Sequence, residues 1–121
     1  MPNLGTCYRQ LVRIVSRNTL TQIAKGFEGH KDHGALKAAL EAWYNEVKRA
    51  AWKNSSDVKS SFAHASIVSA DRVVFNIRGN NYRLVTYVDY RRSAVFIKWF
   101  GTHKEYDTID VRTVQHEREA H

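Results

Sequence analysis

Apolar positions along the chain change their period near Asp71, and that change separates a helical half from a sheet half. "LVRIVS" (Leu11 to Ser16) reads as a short strand. In "RNTLTQIAKGF", Leu20, Ile23 and Ala24 recur at helical spacing, with Asn18 or Thr19 as a cap and Gly26 near the stop. The longest helical pattern is "DHGALKAALEAWYNEVKRAAW". There Leu36, Leu40, Trp43, Tyr44, Val47 and Ala51 share one face, and Lys37, Glu41, Asn45, Lys48 and Arg49 lie on the other. A third, short helix is predicted to begin at Ser55 or Ser56 in "SDVKSSF".

Beyond Asp71 the period is two. "RVVFNIR" sends Val73, Phe75 and Ile77 one way and Arg72, Val74, Asn76 and Arg78 the other. "GNN" is a turn, because Gly and Asn tolerate positive φ. "YRLVTYVDY", a second turn at "RRS", and "AVFIKWFG" complete an antiparallel meander. Centring the turns on Gly79-Asn80 and Arg91-Arg92 sets Phe75 opposite Leu84, Asn76 opposite Arg83, Val85 opposite Lys98 and Leu84 opposite Trp99. One face then holds Val73, Phe75, Ile77, Leu84, Val88, Val95, Ile97 and Trp99 and needs the long helix as cover. The other holds Asn76, Arg83, Tyr87, Phe96 and Lys98, a cationic and aromatic set. A slip of one residue would break this division. The expected class is α+β, a small antiparallel sheet of a three-stranded meander plus an N-terminal strand, with helices on one face. Residues 1–10 read as a loose leader, 11–111 as a single domain and 112–121 as a polar tail.

At 121 residues and 43% hydrophobic content the chain suits one domain with a modest core. No stretch nears the roughly 18 consecutive apolar residues of a membrane span. The start, "MPNLGTCYRQ", has no secretory apolar core. Cys7 is the sole cysteine, which excludes an intrachain disulfide and a cysteine-rich zinc site, and a cytoplasmic location is expected. Nineteen Lys and Arg against 12 Asp and Glu give a net charge of +7, which favours a polyanionic partner: nucleic acid or an acidic protein.

The third meander strand runs straight into "GTHKEYD", where His103, Lys104, Glu105, Tyr106 and Asp107 all carry a charge or a proton. A helix start, a metal site and a catalytic site are three answers. Thr102 with Glu105 three residues later is a capping-box pattern, and a capped turn can also hold a reactive histidine. His103 is the one nearby side chain of the type that exchanges protons around neutral pH, Tyr106 is a donor or weak acid, and Asp107 can orient an imidazolium. Arg83 and Lys98 offer cations for a phosphate and its transition state. Those groups suffice for metal-free RNA cleavage by 2′-OH attack. His30 and His33 are three apart but lack a third metal ligand, and His64 reads as a surface or capping residue. His116 and His121 sit in the polar tail, and Cys7 has no adjacent base. Lys53 and Lys59 flank the short helix, where they suit solvent or a phosphate backbone.

"ADRVVFNIRGNNYRLVTYVDYRRSAVFIKWFGTHKEYDTID" resembles the HigB family of bacterial toxins, within the wider RelE-type superfamily. "LVRIVSRNTL" is similar to that family's usual start and "AWYNEVKRAAWKNSSDVKSSF" to its middle helices, so the likeness spans about Leu11 to Val111. The resemblance implies a RelE-like fold with helices on one side of the sheet and RNA on the other. It implies the toxin of a type II toxin–antitoxin module: a ribosome-dependent mRNA endonuclease that needs no cofactor or metal and inhibits translation and growth. It implies a HigA-type helix-turn-helix antitoxin from an adjacent gene, with operator DNA bound only through the toxin–antitoxin complex. The catalytic roles would fall to Arg83, Lys98, His103, Tyr106 and Asp107, and RNA contacts to Lys53, Lys59, Asn76, Arg78 and Lys104. A non-catalytic basic RNA- or DNA-binding module, using the aromatic face as a stacking platform, is the alternative. A third reading is an interaction protein whose cationic face serves an acidic partner.

Overall fold

The structure, a computed structural model, describes residues 13–14 and 17–114, with the side chains of residues 13, 14 and 17 left aside. The expected leader, Cys7, most of "LVRIVS", His116 and His121 lie outside the described residues. The order is β1 (Arg13–Ile14), α1 (Arg17–Gly26), α2 (His33–Lys48), α3 (Ser55–Ser61), β2 (Ser66–Ile67), β3 (Arg72–Ile77), β4 (Tyr82–Asp89), β5 (Ala94–Thr102) and α4 (His103–Tyr106). The five strands form one sheet in the order β1-β5-β4-β3-β2. The meander pairs antiparallel as expected, and β2 adds a further antiparallel strand that the periodicity did not reveal, because two residues carry no period. The N-terminal strand joins the meander's edge, parallel to β5.

The helical stripe on α2 is real: Leu36, Leu40, Trp43 and Val47 are buried, and they share a core with Val73, Phe75, Ile77, Leu84, Val88, Val95 and Ile97. Phe75 is the hub, 1% exposed, with the rings of Trp43, Trp52 and Phe62 at 5.4, 6.3 and 4.9 Å. Burial of one such ring stabilises by about 1.5–3 kcal/mol. The helix ends at Lys48, so Ala51 and Trp52 follow it rather than extend it. Asn18 and Thr19 lie inside α1, which already starts at Arg17, and so do not cap it. α3 starts at Ser55, capped by Asn54, whose side chain accepts from the Asp57 N–H at 3.1 Å.

Both expected turns form, but positive φ falls on Arg78 (54°) and Gly79 (64°) rather than on the asparagines. The Arg78 guanidinium reaches Asp32, 3.6 Å away, just ahead of α2. The same carboxylate accepts a hydrogen bond from the Tyr82 hydroxyl at 3.0 Å. The start of α2 is thereby tied to the β3–β4 hairpin by charge and hydrogen bond together.

Burial, and then the hydrogen bond and charge of Asp32, push the Tyr82 hydroxyl above its usual pKa. The unfolded chain therefore ionises first, and stability falls as pH rises above about 10. Tyr82→Phe should cost about 1 kcal/mol at neutral pH through the lost bond. It should also make stability fall less steeply in alkali, with Tyr90, likewise raised by burial, retaining its own share. Urea unfolding between pH 7 and 11 measures both effects.

Candidate active site

The β4–β5 ladder holds the feature that builds the site. From Asp89↔Ala94 to Thr86↔Ile97 the pairing follows the expected register, then shifts by one, so that Val85 faces Trp99 and Leu84 faces Phe100. Lys98 is the extra residue of a β-bulge. The expected pairs Val85–Lys98 and Leu84–Trp99 are therefore corrected, and so is Trp99's place in the core. Phe100 packs against the core instead, with its ring stacked on Tyr82 at 5.4 Å. Trp99 emerges half-buried on the outer face, where Lys98 also lies with its Nζ 5.9 Å from the Phe96 ring.

Beyond the bulge, Gly101 sits opposite Arg83. A Cβ there would meet Trp99 Cη2 at 2.5 Å and Glu105 Oε1 at 2.8 Å, so glycine is what lets the indole and the next turn close together. That turn is α4. Thr102 Oγ1 accepts from the Glu105 N–H at 3.1 Å, and Glu105 Oε1 accepts from the Thr102 N–H at 2.9 Å, the capping box expected from sequence. The His103 N–H donates to the carbonyl of Asn81 at 3.1 Å, fixing the turn to the first hairpin.

On this scaffold the Arg83 guanidinium lies 6.0 Å from the centre of the Tyr106 ring, and Tyr106 lies 6.4 Å from Trp99. Arg83 is oriented by Asn80, donating to its backbone carbonyl at 3.0 Å and to its Oδ1 at 2.9 Å. Among the described residues the ion pairs are Arg78–Asp32 and Arg92–Asp89. Arg83, Lys98 and Lys104 thus have no carboxylate partner among the described residues, which leaves three positive charges on or beside the outer face.

The structure brings Arg83, His103 and Tyr106 to one end of the β4–β5 ladder, with Lys98 on the same sheet face and Asp107 next in chain after α4. Asn76 is exposed and directly opposite Arg83, and Lys104 is exposed on α4. Arg78 is separated from this group, because Asp32 and Tyr82 hold it on the helical side. Lys59 turns back on its own loop, its Nζ donating to the carbonyls of Ala63 and Ala65 at 2.8 and 2.9 Å. Lys53 is exposed at the head of α3. Sequence reasoning missed Asn80, whose signal was its place in the turn before Arg83. It also misplaced Trp99; a glycine inside the strand pattern was the available hint of irregular pairing.

The outer face is also partly roofed. Arg72 donates to the carbonyls of Val111 and Val114 at 3.2 and 2.7 Å, which brings the segment after α4 back across the sheet. Among the described residues no group of three or more His, Cys, Asp or Glu is placed to hold a metal ion, and His30 and His33 gain no third ligand. His30 Nδ1 instead accepts from the Asp32 N–H at 3.0 Å.

The family model for HigB toxins, described as the RelE-like toxic component of a toxin-antitoxin system, matches residues 36–109. The chain belongs to the HigB toxin family. The matched stretch runs from α2 through α4 and so contains Arg83, Lys98, His103 and Tyr106. No curated protein matches the chain. Membership makes this protein the RelE-like toxin of a toxin–antitoxin system, which implies an antitoxin partner, and its α+β architecture agrees with that fold. Among the described residues no helix is long and apolar enough to cross a membrane.

The close fit at Gly101 gives a direct check. Gly101→Ala should lower stability by about 1–3 kcal/mol as Trp99 and the Glu105 cap are forced apart. Gly26→Ala, where an added Cβ meets nothing within 4 Å, should be neutral or mildly stabilising. Equal urea midpoints for the two variants would contradict the bulge-and-cap account.

Proposed function

We propose that this HigB-family toxin is an mRNA endonuclease acting on translating ribosomes, and that Arg83, Lys98, His103 and Tyr106 carry the reaction. The supporting observation is the approach of the Arg83 guanidinium to Tyr106, 6.0 Å from its ring, on a turn that also begins with His103. A phosphate set against Arg83 lies beside the Tyr106 phenol, which shares its one helical turn with the His103 imidazole. In the reaction the ribose 2′-OH attacks the adjacent phosphorus and gives up its proton to one group of the His103–Tyr106 pair. The P–O5′ bond breaks, a 2′,3′-cyclic phosphate forms, and the departing 5′-oxygen takes a proton from a second group. Arg83 and Lys98 stabilise the added negative charge of the phosphorane, where a positioned cation is worth most. Asp107 supports the imidazolium, and Asn76 and Lys104 contact the flanking chain.

The system's antitoxin is proposed to be a HigA-type helix-turn-helix protein encoded beside the toxin, with operator DNA bound only by the complex. Its attraction to a +7 toxin follows from charge complementarity. The outer-face aromatics Tyr87, Phe96 and Trp99 also suit a non-catalytic RNA platform, which makes the same contacts but cuts nothing. Arg83→Ala and His103→Ala should each lower mRNA cleavage at least ~100-fold, the scale for losing a transition-state cation or a proton-transfer group. Growth arrest on induction should disappear with it. Ribosomal mRNA ends mapped after brief induction decide the matter: both variants cutting as well as the parent would refute the site.

A further inference from the structure

Beside the proposed cleavage site lies a second feature, a groove of about 650 Å³ between the α3–β2 loop and the β3–β4 turn. Its size is within the range of small-ligand sites, about 300–1,000 Å³. Phe62 and Phe75 line its apolar part, and His64, Asn76, Gly79 and Asn80 supply the rest. His64 and Asn76 are both exposed, so neither is spent on the core.

Two contacts join the groove to the cleavage site. Asn76 pairs across the sheet with Arg83, about 5 Å of backbone spacing away. Asn80, on the groove's rim, is also the residue that orients the Arg83 guanidinium through its Oδ1. With that oxygen committed, the Asn80 amide has its NH2 donors left to offer, while Asn76 offers both a donor pair and an acceptor. An imidazole and two amides around an apolar floor form a surface for a flat, hydrogen-bonding ring, and the neighbouring Arg83 guanidinium is placed to bind the phosphate attached to it.

We propose that this groove receives the nucleobase adjoining the scissile phosphate, stacked on His64 and hydrogen-bonded by Asn76 and Asn80, and so selects where the toxin cuts. The proposal rests on the nuclease reading above but concerns residues that reading does not need for chemistry. Asn76 and Asn80 both line the groove and adjoin Arg83, so a base next to a phosphate held by Arg83 is within reach of it, and base stacking of this kind strengthens binding at least ~10-fold.

The test uses the full chain, isotope-labelled, titrated with trinucleotides of RNA carrying 2′-O-methyl groups, which bar the attack step. Saturable shifts are expected at the His64 imidazole and the Asn76 and Asn80 side-chain amides, together with those around Arg83. His64→Ala should weaken binding at least ~10-fold, and on ribosomes it should redistribute the mapped mRNA ends rather than abolish them. Resonances that move around Arg83 alone, with unchanged affinity and unchanged ends in His64→Ala, would overturn the groove proposal and leave the nuclease reading intact. Groove resonances that move with the antitoxin but not with the trinucleotides would overturn it in favour of a protein contact. A parent protein that binds the trinucleotides in the groove yet cuts no mRNA overturns the nuclease reading and the selection of cut sites with it, and leaves the groove as a base-binding site.

Discussion

The outer face of this protein depends on one extra residue in β5. A strand of strict alternation cannot send Ile97 into the core and both Lys98 and Trp99 to the other side. The bulge opposite Val85 and Thr86 does so, and it returns Phe100 to the core beside Tyr82. The cost is a disrupted ladder at one position. The gain is that the strand carries core residues at both of its ends while its middle delivers a lysine and an indole to the same open surface. Trp99 then becomes the wall against which Gly101 and the capped turn close, and Tyr106 comes to lie beside Arg83.

The two sides of the sheet use their cations differently. On the helical side Arg78 sits at positive φ with its charge met by Asp32, and the cluster with Tyr82 ties α2 to the hairpin. Lys59 closes a loop on two carbonyls. Arg72, on the outer face, is the exception there, since it donates to two carbonyls of the segment after α4. Arg83, Lys98 and Lys104 are not neutralised by a carboxylate among the described residues. Net charge alone does not distinguish these groups; the partners do.

Much of this was legible in the sequence. The α2 stripe, the three meander strands, the Phe75–Leu84 and Asn76–Arg83 pairs and the Thr102–Glu105 box rest on periodicity and capping chemistry, which are local. Arg83, His103 and Tyr106 could be grouped because the hairpin register and the turn after β5 are both local as well. Apart from the hint given by Gly101, the bulge was hidden, since an inserted residue leaves the apolar pattern of β5 almost unchanged: Trp99 and Phe100 both look like core. The two-residue β2 was equally hidden. Arg78 stands among the RNA contacts expected from the resemblance, and nothing near it in the sequence shows that Asp32, 46 positions earlier in the chain, pairs with its guanidinium. Long-range pairing of that kind leaves no local trace.

The parallel pairing of β1 with β5 has a consequence for the order of assembly. As the chain is synthesised, Arg13 and Ile14 emerge early, but their partners Ala94 and Val95 arrive only after α1 to α3 and three other strands. That edge of the sheet therefore stays open through most of translation, and its closure carries the entropy of joining a long loop. The same late strand brings the capped turn with His103 and Tyr106. In a nascent or truncated chain the first strand thus waits, unpaired, until that last segment has been made.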